Sequence, residues 1–149
     1  MARVTLEIFR GPYLLALARG LEVESCRLLT DVCLRCPQGW TLFRPAIIDT
    51  GAPVSLFPRR AWQQADVRCL GRVSVGGLAR TPECMLDTTL AIVTMTLRDQ
   101  SQEIGPIETH ALLADNDYVP TLLGMRGVLS DLTLHADPAR AQAYLETAL

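Results

Sequence analysis

Aromatic residues are scarce: three Phe, three Tyr and two Trp in 149 residues. Any core must therefore be filled by Val, Ile, Leu and Ala, and the 49% apolar share is large enough to supply one. Long apolar runs are missing too, since none approaches the ~18 residues of a membrane-crossing helix. Tyr13 to Ala18 is apolar, but it is too short and badly flanked for a secretory signal. The chain reads as cytoplasmic, with no membrane partner. An excess of either charge is also missing: 14 Lys and Arg against 16 Asp and Glu leave a net −2. That removes the electrostatic footprint of a nucleic-acid binder. Histidine is limited to His110 and His135, each isolated, and neither is given a role.

Cysteine is present, but not as a framework. Cys26, Cys33, Cys36, Cys69 and Cys84 make an odd number without a signal segment, which argues against paired disulfides. Cys33-Leu34-Arg35-Cys36 has the spacing of half a zinc site, yet no second pair or nearby His completes it. Free thiols in or beside strands are the favoured reading. No metal and no cofactor are expected.

What the chain does have is many short apolar runs punctuated by ten Gly and nine Pro. That pattern predicts an all-β, barrel-like domain. Val4 to Ile8 alternates as a strand that Gly11-Pro12 should break, and Tyr13 to Ala18 is either strand or short helix. Cys26 to Leu34 and Trp40 to Ile48 read as strands around a Cys36–Gly39 turn. Further strands are expected over Arg68–Val75, Cys84–Leu97, Ile107–Leu113 and Leu132–Ala136, with a polar turn at Asp99–Gln102. Short helices are expected near 58–64 and 124–130. Asp137-Pro138 reads as a helix start, so a C-terminal helix is expected from 138. The whole, 1–149, is one domain with its core at about 26–136 and a helical extension over 138–149.

The stretch from Ala46 to Phe57 carries the chemistry. Ala46-Ile47-Ile48 delivers Asp49, Thr50 and Gly51 in order, and Ala52-Pro53-Val54 leads into a second apolar run. A carboxylate at the end of an apolar strand is costly unless its surroundings suit it. Asp-Thr-Gly can be no more than a β-turn, because Asp and Gly are favoured there. Two further segments weigh against that reading. One is Val119-Pro120-Thr121-Leu122-Leu123-Gly124, and the other is the glycine pair in Val73-Ser74-Val75-Gly76-Gly77-Leu78.

In that order the three segments resemble the active-site loop, flap and apolar-apolar-Gly turn of the retropepsin-like, or retroviral-type, aspartic proteases. The resemblance covers roughly Trp40 to Leu134. It implies an acid-protease barrel with one lobe per chain, and a hydrolase of the aspartic endopeptidase class acting on polypeptides. Asp49 would be the catalytic acid. Thr50, Gly51 and Ala52 would support the loop, with the Thr50 hydroxyl bonding across to an opposite loop. Val75, Gly76, Gly77 and Leu78 would form a flap over substrate. Leu122, Leu123 and Gly124 would pack beneath the loop and turn the chain. Ile48, Val54, Leu78, Leu122 and Met125 would wall a pocket favouring apolar residues at the cut bond.

Such chemistry needs two facing carboxylates, and only one Asp-Thr-Gly exists here; Asp87-Thr88-Thr89 lacks the glycine. The resemblance therefore implies a homodimer with Asp49 of each copy at its axis. Pro53 and Met125 stand where retroviral enzymes often carry an acid and an arginine, so ion pairing at the loop is absent or rebuilt. The N-terminal forty residues have no evident counterpart. The alternative reading is a catalytically silent dimerisation and peptide-binding module of the same fold. Trp62 is expected in the core, and Arg59-Arg60 in solvent near a carboxylate loop.

Overall fold

A computed structural model describes residues 1–76 and 85–148. Strands account for 56% of it and helix for 11%, and six strands close into a barrel. The strands are β1 (Arg3–Thr5), β2 (Glu7–Pro12), β3 (Glu24–Cys36), β4 (Gly39–Trp40), β5 (Arg44–Ile48), β6 (Ser55–Phe57), β7 (Arg68–Val75), β8 (Leu86–Arg98), β9 (Glu103–Ala114), β10 (Leu122–Leu123), β11 (Leu132–Asp137) and β12 (Gln142–Thr147). Two helices of a single turn, α1 (Leu14–Leu17) and α2 (Arg59–Trp62), sit between them.

The barrel runs β3–β5–β10–β6–β9–β8 and closes where β8 meets β3. Two ribbons leave it: β2 pairs with the first half of β3, and β7 with the first half of β8. A separate three-stranded sheet is ordered β1–β12–β11. No helix among the described residues is long and apolar enough to cross a membrane.

Alternation explains the barrel. On β8, Ala91, Val93, Met95 and Leu97 are two residues apart and all point inward, none more than 1% exposed. Ala111 and Leu113 on β9, and Val32 and Leu34 on β3, repeat the pattern. Phe57, one of only three phenylalanines, is fully buried at the end of β6. Trp62 packs against this core and donates its indole N–H to the Ala114 carbonyl at 2.8 Å. Arg59 and Arg60 are exposed beside the loop after β9, where their backbone N–H groups meet Asn116 and Asp117.

Four expectations are corrected. The chain from 138 is not a C-terminal helix. Asp137 caps a single tight turn, Pro138–Arg140, and Ala141 ends it in the left-handed region at φ 54°. The residues beyond repeat with period two, Ala143 and Leu145 inward and Gln142, Tyr144 and Glu146 outward. They pair as β12 with both β11 and β1. The core also exceeds 26–136, because Val4, Leu6, Ala143 and Leu145 are part of it.

The helix expected over 124–130 shrinks to Met125–Leu129 and is broken inside, at Arg126 (ψ 117°) and Gly127 (φ 72°). The Thr109 hydroxyl donates to the Arg126 carbonyl at 3.0 Å, taking that acceptor out of any helical ladder. Finally, the single strand expected over Val4–Ile8 is two, β1 and β2, in different sheets. They are parted at Leu6, whose N–H donates to the Ala143 carbonyl at 2.9 Å. β2 then runs on and ends at Gly11-Pro12, as expected.

Candidate active site

Ala46 and Ile48 on β5 point into the main core, and Ile47 points to the opposite face. Asp49 follows β5 directly and is half-buried, while Thr50 and Gly51 are exposed. The loop then returns through Ala52, Pro53 and Val54 to Ser55, which opens β6 and is fully buried. Between the two strands that flank this loop runs β10. It is parallel to β5 (Leu122 opposite Ile47, Leu123 opposite Ile48) and antiparallel to β6 (Leu122 opposite Leu56).

The same segment clamps the loop residue by residue. Asp49 N–H donates to the Leu123 carbonyl at 2.9 Å, Met125 N–H to the Ala52 carbonyl at 2.8 Å, and Arg126 N–H to the Pro53 carbonyl at 3.0 Å. Gly124 N–H donates to the buried Ser55 hydroxyl at 3.1 Å. The Asp-Thr-Gly loop and the Leu-Leu-Gly turn, about seventy residues apart in sequence, are thus one unit.

Gly124 has its own reason to be glycine. Its φ is −102°, so no left-handed turn demands it. A Cβ there would lie 2.6 Å from the Val54 carbonyl oxygen and 2.7 Å from that of Ala52. The requirement is close packing of loop on turn, rather than the turn itself.

Within the loop, Ala52 N–H donates to the Asp49 carbonyl at 3.2 Å, and Gly51 N–H donates to Asp49 Oδ1 at 2.9 Å. Asp49 Oδ2 receives no hydrogen bond among the described residues. A Cβ on Gly51 would stand 3.3 Å from Asp49 Oδ1, so glycine here keeps the approach to the carboxylate open.

The expected pocket wall divides between two faces. Ile48 and Leu123 belong to the main core beneath the loop. Leu122 belongs to a second, smaller buried cluster with Leu56 and Ala114, around which Ile47, Leu86, Leu112 and Val119 pack. Ile48 is therefore a support of the loop and cannot share a wall with Leu122. Of the residues around Leu122, only Ile47 is signalled by alternation, along β5; Leu56 lies on β6, Leu86 on β8 and Val119 in the loop before β10, and all four were missed. Val54 is half-buried and Met125 exposed beside the clamp.

Val75 and Gly76 lie at the end of β7, with Val75 opposite Leu86 and Gly76 against the Met85 sulfur. Gly77 and Leu78 lie outside the described residues. Arg72 ties this ribbon to the loop before β10 through paired bonds to Asp115 at 2.7 and 3.1 Å. Each partner favours the charged form of the other, raising the Arg72 value and lowering that of Asp115.

Other reactive groups stand apart from the loop. Cys33 is buried, and burial pushes its thiol up, away from the nucleophilic thiolate. Cys33 and Cys36 are three residues apart on one strand and so project to opposite faces. Cys84 lies outside the described residues. Two open hollows lie away from Asp49. One of about 660 Å³ is walled by Leu6, Thr30, Pro45 and Arg98, and another of about 420 Å³ by Thr109, His110, Arg126 and Asp131.

No protein-family model matches this chain, and no curated protein matches it either.

Proposed function

We propose that the chain is one half of an aspartic endopeptidase of the retropepsin-like kind, acting on polypeptides inside the cell. Asp49 of a second copy completes the centre. The observation that carries this reading is the clamp around Asp49. Four hydrogen bonds from the 123–126 segment fix the loop, yet among the described residues a single N–H reaches the carboxylate. A loop held so firmly around an acid left half open is suited to presenting that acid to a second group.

Two such carboxylates face to face share one proton, because like charges at that distance cannot both ionise. The ionised Asp49 takes a proton from a water held between them, and the water oxygen attacks the peptide carbonyl carbon. The protonated Asp49 gives its proton to the carbonyl oxygen. The tetrahedral intermediate then breaks its C–N bond as the nitrogen takes a proton from the first carboxyl. The intermediate's hydroxyl returns the other proton as the new acid group forms, so the pair ends with one shared proton, as it began. The exposed Thr50 is free to bond across the axis. The partly exposed Ile47, Leu86 and Val119, packed over buried Leu122 and Leu56, favour apolar side chains beside the cut bond.

An unfolded peptide library incubated between pH 4 and 7 tests this. Wild-type protein is expected to cleave it, and Asp49→Asn to lose roughly 10³-fold or more of that rate. Excess Asp49→Asn chains mixed with wild type should lower activity faster than dilution alone. Binding without cleavage at every pH would replace the enzyme with the silent peptide-binding module.

A further inference from the structure

We infer that the β2–β3 hairpin is an arm that grips a second copy of this chain, an inference that rests on the two-chain reading above. The strand register sets its direction. Leu29 on β3 lies opposite both Ile47 on β5 and Glu7 on β2. Ile47 is two residues short of Asp49. From Leu29 the hairpin continues five residues the same way, to Glu24 and its partner Pro12. The paired strands therefore pass the level of Asp49 by three residues (5 − 2), or roughly 10 Å at the usual rise per strand residue. The tip, 13–23, lies further out still.

This arm is braced and closed. Arg10 pairs with Glu24 and donates to the Pro138 carbonyl at 2.9 Å, which ties the ribbon to the C-terminal hairpin. Tyr13 N–H donates to the Val23 carbonyl at 2.7 Å, and Leu21 N–H to that of Ala16 at 3.0 Å. Its tip is nonetheless apolar and uncovered. α1 buries none of its residues, and Leu14, Leu15, Leu17, Leu21 and Val23 are 46–67% exposed. Seven of the fifteen large apolar residues exposed among the described ones lie between Phe9 and Val23. So dense an apolar patch on an ordered tip marks a contact surface.

The occupant follows from the geometry of the pair. Two Asp49 carboxylates that share a proton stand within a few ångströms across a two-fold axis. An arm rising roughly 10 Å past that level must then run alongside the other copy. Symmetry makes two such arms, each bringing its tip level with the base of the other. Charge at the tip is mixed, Arg19 and Glu22 balancing in sign beside the Arg10–Glu24 pair, which gives no bias towards an anionic lipid surface.

The test uses the full chain with Leu14, Leu15 and Leu17 all changed to Glu, followed by sedimentation velocity across micromolar concentrations. Wild type is expected to be dimeric and the triple variant to dissociate roughly 100-fold more readily. Its circular dichroism should be unchanged, because α1 buries nothing within one chain, while its melting temperature should lose the dependence on protein concentration expected of the dimeric wild type. A photo-crosslinker at Leu15 of the otherwise intact chain should yield a product of two chain masses. Unchanged self-association of the triple variant, or a monomeric wild type, overturns the arm. So does crosslinking only to phosphatidylglycerol vesicles or to an added unfolded polypeptide. Peptidase assays on the same samples separate the two readings. A dimer broken at the arm in a protein that never cleaves leaves the arm standing and removes the enzyme. Cleavage that needs Asp49 in a dimer indifferent to the arm does the reverse.

Discussion

Asp49 and Asp99 begin alike and end differently. Each follows a strand, β5 or β8, and each accepts an N–H from two residues on, Gly51 at 2.9 Å and Ser101 at 2.7 Å. Asp99 then accepts Gln102 N–H at 2.7 Å and the Ser101 hydroxyl on the same oxygen, and Thr5 N–H at 2.7 Å on the other. Partial burial works to raise its value, but these donors together outweigh it and hold the carboxyl down to about 2. Asp99 is a fastener joining β1 to the β8–β9 turn. Asp49 has its backbone fastened and its side chain left open. Asp99 collects its donors on the carboxylate, whereas around Asp49 they fall on the surrounding loop.

Exchanging the two acids for amides is the sharpest way to test that contrast. Asp49→Asn should abolish cleavage yet move unfolding free energy by less than about 0.5 kcal/mol in a urea titration. A large loss of stability would show that Asp49, too, is a fastener. Gly124→Ala comes next, since its Cβ would meet two carbonyl oxygens under 3 Å away. Urea unfolding should reveal a loss of about 3 kcal/mol, with activity failing alongside.

Asp99→Ala should lose about 1 kcal/mol, held to that by solvent screening. Its pH signature has a definite sign. The folded value lies below the ordinary 3.8, so the stabilisation is complete above about pH 4 and disappears as pH falls towards 2. In Asp99→Asn, stability measured over that window should fall less steeply than in wild type. The smallest effect is expected from Arg72→Ala. Its pair with Asp115 is exposed on both sides, and in ~1 M salt thermal unfolding should not distinguish the variant from wild type.

The barrel was legible because its strands alternate cleanly, as Ala91, Val93, Met95 and Leu97 do along β8; the β7 ribbon outside it also runs over the expected Arg68–Val75. The union of Asp49 with Leu122-Leu123-Gly124 was legible only through the resemblance of both segments, in that order, to one family's pattern; taken alone, the second reads as ordinary core and turn. What was lost came from local signals that tertiary pairing overrode. Asp137-Pro138 does start a helical turn, but only one, because Ala143 and Leu145 bury more by pairing with β1 and β11 than by coiling. Ile48 and Leu122 were grouped because both are apolar and near Asp49, when their alternate positions put them on opposite faces. The arm left no sequence signal beyond an apolar run, since its meaning lies in the register of Leu29 with Ile47.

The sheet β1–β12–β11 also bears on how the molecule is made. Arg3 lies opposite Glu146, 143 positions later in the chain. During synthesis β1 therefore emerges long before its partner and must wait for β12 before it can pair. The barrel can gather while translation proceeds, but Val4 and Leu6 are sealed only once β12 has been made. The slowest folding step should be this late docking of β1 on β12, and a ribosome-stalled chain ending before β12 should leave β1 open to protease.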